Sequence, residues 1–285
     1  MKIDAHHHLW DLTAVSYPWI MDRTPRFFGD HAPIRRDYLL EEFRADAEAC
    51  GIEGSVHIQV GAADPMQEAR WIDQVAAEAE WPMVQVVFCD LTADDVANQL
   101  KTYAAMPSVR GVRQIVGRSA EEDAKTDTNS LLTNPKFVDG LKRAADFDLS
   151  FDLQLTPPVM EATAEIFAKV PEIRTVLCHA GSPHDRTEAG LAAWSKGLGS
   201  LSSLPNMYCK LSGLGMFDHA WTAEKTRPIA EIVLSQFGSD RAMWGSNFPV
   251  CSLSATYQET FDRHWHLANG NGDVFGRTAA KFYRF

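Results

Sequence analysis

Eight short apolar runs, amphipathic stretches in most of the gaps, and a polar residue at the end of nearly every run predict a closed parallel (β/α)8 barrel. The first run is Met1–Ala5, followed by Gly54–Gln59, Met83–Phe88 and Val109–Arg113. Ser150–Leu155, Thr175–Cys178, Met207–Lys210 and Ala242–Gly245 complete the set. Each has the length of a strand buried on both faces, and several are rich in Val, Phe and Ile. Apolar residues at three- and four-residue spacing predict helices over Leu39–Ala49, Gln67–Ala79, Asp94–Ala105, Pro135–Phe147, Pro158–Lys169 and Thr226–Phe237. An open doubly wound sheet would normally carry a glycine-rich phosphate loop, and neither GxGxxG nor GxxxxGK[ST] occurs. The expected architecture is one α/β domain over 1–285, a TIM barrel with long loops over its C-terminal face. Asp11–Asp37 and His184–Leu204 are the two segments read as such loops.

Composition narrows the function classes. The chain has 285 residues, enough for a large core without covalent staples, and its five cysteines are scattered with no CxxC pair. That usage reads as a reduced, intracellular protein. A formal net charge of -11 argues against nucleic acid, whose phosphates need clustered Lys and Arg. The N-terminus lacks the apolar stretch of a secretory signal, and no run is long enough to span a membrane. The expectation is a cytoplasmic protein acting on a small molecule, with no nucleic-acid or membrane partner.

In a parallel barrel the chemistry collects where the strands end. The successive ends carry His6-His7-His8, Gln59, Asp90, Arg113-Gln114, Gln154, His179, Lys210 with Ser212, and Ser246-Asn247. His6 and His8 are two residues apart, so in an extended strand both face the mouth while His7 faces outward. Two such imidazoles can chelate a divalent ion such as Zn²⁺, and His179 would add a third nitrogen. Run-of-the-mill core or surface histidines are the alternative. Arg113 and Lys210 read either as grips for a carboxylate or polarised carbonyl, or as partners of neighbouring acids. Arg110 reads as structural. Trp10, Tyr17 and Trp19 in the first long loop could stack on a ring substrate or simply pack the loop down. Cys178 and Cys209 read as core fillers, and no G-x-S-x-G elbow marks a serine nucleophile.

The segments IDAHHHLWD (3–11), YPW (17–19), HIQVGA (57–62), EARW (68–71), CDL (89–91) and VRGVRQ (109–114) carry a likeness over the first half. LCHAGSP (177–183), PNMYCKLSGLG (205–215), RAMWGSNFPVC (241–251) and the terminal KFYRF extend it to the end. With these motifs the chain resembles the amidohydrolase superfamily, in the branch of metal-dependent TIM-barrel hydrolases that includes sugar lactonases and 2-pyrone-4,6-dicarboxylate lactonase. The resemblance implies His6 and His8 as the strand-one pair and His179 as the strand-six histidine. These are expected to be catalytic, and to be the ligands of one divalent metal such as zinc where a metal is used; metal-independent members also occur in the branch. It implies Arg113 and Lys210 as substrate grips, and a homodimer by family habit. Asn247 stands where such lactonases carry an aspartate in a GSDWP motif. An amide cannot take a proton from water, although it can orient one.

The expected reaction is hydrolysis of a small acidic or sugar-derived lactone by water attack on the ring carbonyl. Lys210 and Arg113 would stabilise the oxyanion and a histidine or metal-bound hydroxide would supply the base. Asn247 would position the water, and Gln59, Gln154, Trp19 and Trp10 would line the substrate pocket. Two rivals keep the barrel: a decarboxylase or other lyase, for which Asn247 would be natural, and a barrel that binds a ligand without turning it over.

Overall fold

A computed structural model describes residues 1–24 and 26–285. Eight parallel strands pair in sequence order: β1 (Ile3–His7), β2 (Gly54–Ile58), β3 (Met83–Phe88), β4 (Val109–Ile115), β5 (Ser150–Gln154), β6 (Thr175–Leu177), β7 (Met207–Leu211) and β8 (Ala242–Trp244). The predicted barrel is present, with strand limits displaced by one or two residues. Helices lie between the strands: α1 (Pro18–Met21), α2 (Leu40–Ala49), α3 (Pro65–Glu78), α4 (Val96–Ala104), α5 (Ala120–Thr126) and α6 (Pro135–Asp146). The second half adds α7 (Met160–Phe167), α8 (Glu188–Ser202), α9 (Ala223–Phe237), α10 (Tyr257–Leu267) and α11 (Thr278–Tyr283). None of the described helices is long and apolar enough to cross a membrane.

Two apolar layers hold the barrel. Ile3, Ala5, Val56, Ile58, Val84, Val86, Val176 and Met243 point inward and meet Ala279, Phe282 and Tyr283 of α11. The outward side chains pack under the helices in a second, larger cluster. Helix starts follow local chemistry. Asp64 accepts the Met66 and Gln67 N–H groups ahead of Pro65, and Thr256 and Glu259 form a reciprocal capping box on α10.

The segment His184–Leu204, read from sequence as a loop over the site, contains the fifteen-residue α8. Gly190, Gly197 and Gly199 dilute its helical pattern, yet Gly197 is where the helix presses against Met160. Tertiary packing overrides the poor intrinsic propensity there. Asp11–Asp37 is the long loop expected, and paired Trp10 and Tyr38 backbones close its neck.

The seam between β8 and β1 decides where the histidines point. No strand ladder joins these two strands among the described residues. They are joined instead by the Asn247 N–H donating to His6 O and the His8 N–H donating to Phe248 O, both at 2.7 Å. Asp4 completes the join: its Oδ1 accepts the His6 N–H (3.0 Å) and the Ser246 N–H (2.9 Å), and its Oδ2 accepts the Tyr257 hydroxyl (2.9 Å). Against β2, Asp4 lies opposite Ser55 but His7 lies opposite His57, so β1 carries one extra residue. This is a β-bulge. Strict alternation from inward Ile3 and Ala5 would put His7 in the mouth and turn His6 and His8 out. The bulge reverses that: His6 faces inward toward His179, and His7 stacks outside on Phe43 of α2 with ring centroids 3.8 Å apart.

The seam leaves no room for a side chain at position 245. A methyl there would lie 2.5 Å from His6 Cβ and 2.8 Å from His6 N. Gly245→Ala is therefore expected to destabilise the fold by about 1–3 kcal/mol in urea unfolding. Gly199→Ala in α8, with nothing nearer than Gln236 Oε1 at 4.0 Å, is expected to stabilise it by about 0.5–1 kcal/mol. Wild-type stability in the first variant would contradict the seam described.

Candidate active site

His6, His8 and His179 converge at the mouth. The His6 ring centroid lies 5.1 Å from that of His8 and 4.5 Å from that of His179. All three rings are buried, and burial is the main cause that holds each neutral, helped by nearby cations. For His8 burial and Arg113 lower the value to about 3. The His179 backbone sits in the left-handed region (φ 55, ψ 37), uncommon for a residue with a β-carbon and the kind of strain found at functional sites. Gly213 makes space for its ring, since a β-carbon there would come 2.6 Å from His179 Nδ1. Asn247 also has positive φ (57), which asparagine and aspartate tolerate better than most residues.

A hydrogen bond assigns the tautomer of His8. His8 Nδ1 lies 2.8 Å from Ile58 O, an acceptor, so Nδ1 carries the proton and Nε2 presents a lone pair. His179 Nδ1 lies 2.9 Å from the Ser212 hydroxyl, which can accept from it or donate to it. Asn247 Oδ1 stands 3.3 Å from His8 Nε2, so two acceptors lie side by side where one water could donate to both. The Asn247 amide nitrogen donates to Cys251 Sγ at 3.4 Å.

The two cations differ. Arg113 is only 7% exposed, and no carboxylate among the described residues pairs with it. It donates to Gln59 O (2.9 Å) and to Gln154 Oε1, while its Nε is buried without a partner among the described residues. A buried guanidinium with a spare N–H and no counter-ion suits an anion or a developing oxyanion. Lys210 is fully buried and paired with Asp152 at 2.6 Å, so the neighbouring-acid alternative holds for it. Its ammonium also lies 3.5 Å from His6 Nδ1. Arg110 is structural as expected, donating to Pro107 O and Val109 O.

The expected lining divides. Gln59 and Gln154 meet at Arg113. Half-buried Trp19 donates from Nε1 to Val60 O at 2.5 Å, beside the β2 exit. Trp10 offers no face to a substrate: it is completely buried beneath Trp19 and donates to Arg36 O, so the packing alternative replaces the expected stacking role. Tyr17 is likewise buried, against Glu68. Cys178 and Cys209 are buried core thiols with raised values, as expected. Asp4, Asp152 and Tyr283 were missed in the sequence. A carboxylate inside the apolar run SFDLQL was the available signal for Asp152; Tyr283 lay in the terminal KFYRF motif, which gave it no role.

A divalent metal is implied by the family likeness. The neutral Nε2 atoms of His8 and His179 and the Asn247 carbonyl oxygen are suitable donors in the right protonation state. His6 differs from the expected set, because binding through Nε2 would turn an N–H on Nδ1 toward the Lys210 ammonium. Among the described residues no three His, Cys, Asp or Glu side chains are already gathered as a metal cluster. The donors fit one weakly held ion.

Six histidines, His6, His7, His8, His57, His179 and His264, are buried and held below their ordinary value of 6.5. The unfolded chain therefore binds more protons below about pH 6.5, and stability is lost as pH falls. Asp4 and Glu68, raised by burial to about 6 and about 8, oppose this, since the folded chain keeps their protons longer as pH rises. Six groups outweigh two. The melting temperature by calorimetry is expected to fall between about pH 7 and about pH 5, and a rise would contradict these protonation states.

Known proteins share this architecture. The chain matches the Amidohydrolase family model over residues 3–285. It is 35% identical to the uncharacterised protein y4mH of Sinorhizobium fredii, covering 99% of this chain and 98% of that one. It is 27% identical to an L-fucono-1,5-lactonase of Burkholderia multivorans, covering 99% and 96%. The crystal structure of a Burkholderia multivorans amidohydrolase with bound zinc aligns at a TM-score of 0.85 and 26% identity, over 100% of this chain and 99% of that one. The inward histidines, the barrel and these full-length matches lead to one conclusion: the chain belongs to the amidohydrolase family.

Proposed function

We propose that this protein is an ester-bond hydrolase that opens a small lactone, sugar-derived or acidic, by water attack on the ring carbonyl. The observation that carries the reading is Arg113, a buried cation without a counter-ion beside three neutral imidazoles. The similarity to L-fucono-1,5-lactonases supports a lactone as the substrate class.

In this reading the carbonyl oxygen lies toward Arg113, whose spare N–H and charge stabilise the oxyanion as it forms. Water sits beside Asn247 Oδ1 and His8 Nε2 and donates to both. Asn247 orients it, and the His8 Nε2 lone pair takes its proton. The ring by itself is a weak base because burial and Arg113 both oppose its cationic form. Negative charge placed on Arg113, either a substrate carboxylate or the oxyanion itself, relieves the second of these. Where a divalent ion is used, His8, His179 and the Asn247 carbonyl oxygen would hold it, and its Lewis acidity would take the place of His8 as the base.

Asn247 also favours a second reading, a lyase step that activates no water. Turnover in ¹⁸O-labelled water separates them, because hydrolysis places solvent oxygen in the product acid and decarboxylation does not. Arg113→Met is expected to lower kcat/KM on the best lactone by roughly 100-fold or more, with an unchanged circular-dichroism spectrum. A near-wild-type rate would contradict the role given to Arg113. Lys210→Met is a poorer test: it leaves Asp152 buried without a counter-ion at a cost of about 3–5 kcal/mol, so lost activity would report unfolding.

A further inference from the structure

Tyr283 lies two residues before Phe285, in α11, which packs against the inward residues at the base of the barrel, opposite the mouth. Its hydroxyl reaches up to Asp152 on β5, 2.8 Å from Oδ2 and 3.0 Å from Oδ1. Asp152 Oδ2 accepts the Lys210 ammonium at 2.6 Å, and that ammonium lies 3.5 Å from His6 Nδ1 and 5.2 Å from the Tyr283 ring centroid. All four side chains are fully buried. Such a buried ion pair is weak evidence of a device for stability, since apolar residues of similar volume often serve the fold equally well or better.

Its geometry has a consequence for His6. An ammonium donates and cannot accept, so the ring nitrogen facing it presents a lone pair and the His6 proton resides on Nε2. This is the tautomer opposite to that of His8. His6 Nε2 is buried with no partner among the described residues. The mouth therefore holds one imidazole acceptor in His8 and one donor in His6, and the donor is free for a carbonyl oxygen.

We propose that Tyr283, Asp152 and Lys210 are positioning residues that hold His6 as the Nε2–H tautomer, so that His6 donates to the lactone carbonyl alongside Arg113. The proposal rests on the lactone-opening reading for the identity of the acceptor, while the tautomer itself does not. The Tyr283 hydroxyl occupies the Asp152 oxygens. Without it the carboxylate turns to take Lys210 through both oxygens and draws the ammonium away from His6.

The test compares Tyr283→Phe with Tyr208→Phe. Tyr208 packs on Phe282 of the same helix, with ring centroids 4.8 Å apart, and takes no part in the relay. Two readouts are used: lactone kinetics, and ¹⁵N–¹H correlation spectra of the histidine rings. In the wild type the His6 ring is expected to show the Nε2–H pattern. Tyr283→Phe is expected to shift it toward a mixture and to lower kcat about tenfold with KM within about twofold, while Tyr208→Phe changes neither. A wild-type His6 spectrum in folded Tyr283→Phe, or an equal change in Tyr208→Phe, would overturn the proposal. If the wild-type protein opens no lactone, the reaction assignment fails by itself, and the ring spectra still decide whether Tyr283 sets the tautomer.

Discussion

Asp4 is the residue on which the site depends. One buried carboxylate accepts two backbone N–H groups and a tyrosine hydroxyl at the place where β8 must meet β1 without a ladder. By taking the His6 N–H it stabilises the extra residue in β1, and by taking the Ser246 N–H it draws β8 alongside. A barrel with an open seam would expose strand edges, and a β1 without the bulge would turn His6 away from the mouth. Closure and catalytic geometry thus share one side chain. Unmade bonds to a buried carboxylate are costly, which gives the seam its rigidity.

The charges in the mouth follow the same economy of means. Burial keeps the imidazoles neutral, so they offer lone pairs and N–H groups rather than positive charge. The two cations differ in setting, and the proposed reaction uses them differently. Arg113 has no counter-ion among the described residues and would meet the substrate, whereas Lys210 is neutralised by Asp152 and lies beside His6. Replacing the aspartate expected after strand eight by Asn247 removes a negative charge from this set. That leaves the site electrostatically suited to an acidic guest and only weakly attractive to a metal ion.

Much of this was legible in the sequence. Buried parallel strands must be apolar on both faces, so Met83–Phe88 was readable to the residue and the other seven to within one or two. Strand ends face one side of a barrel, which is why His6, His8, Arg113, Gln59, Gln154, His179 and Asn247 could be named as a group. The reason given for the histidine pair was incomplete: alternation alone predicts the opposite orientation, and a bulge depends on a partner strand that sequence spacing does not reveal. Lys210 could not be assigned between substrate and acid, because Asp152 lies 58 residues away in the chain. Trp10 looked available because a loop position does not disclose that Trp19 covers it. Helix α8 was hidden by glycines that serve packing. Tyr283 stood in the terminal KFYRF motif, but nothing local shows that its hydroxyl returns to the barrel interior.

The most direct test of the seam is amide hydrogen exchange of the native protein, read at single residues by ¹⁵N NMR. If Asp4 holds β1 and β8 together, the His6 and Ser246 amides will exchange only through global unfolding, as slowly as the Val86 and Val112 amides in the middle of the sheet. Exchange of those two amides by local opening, orders of magnitude faster than their neighbours in β2, would contradict the account and return the position of His6 to an open question.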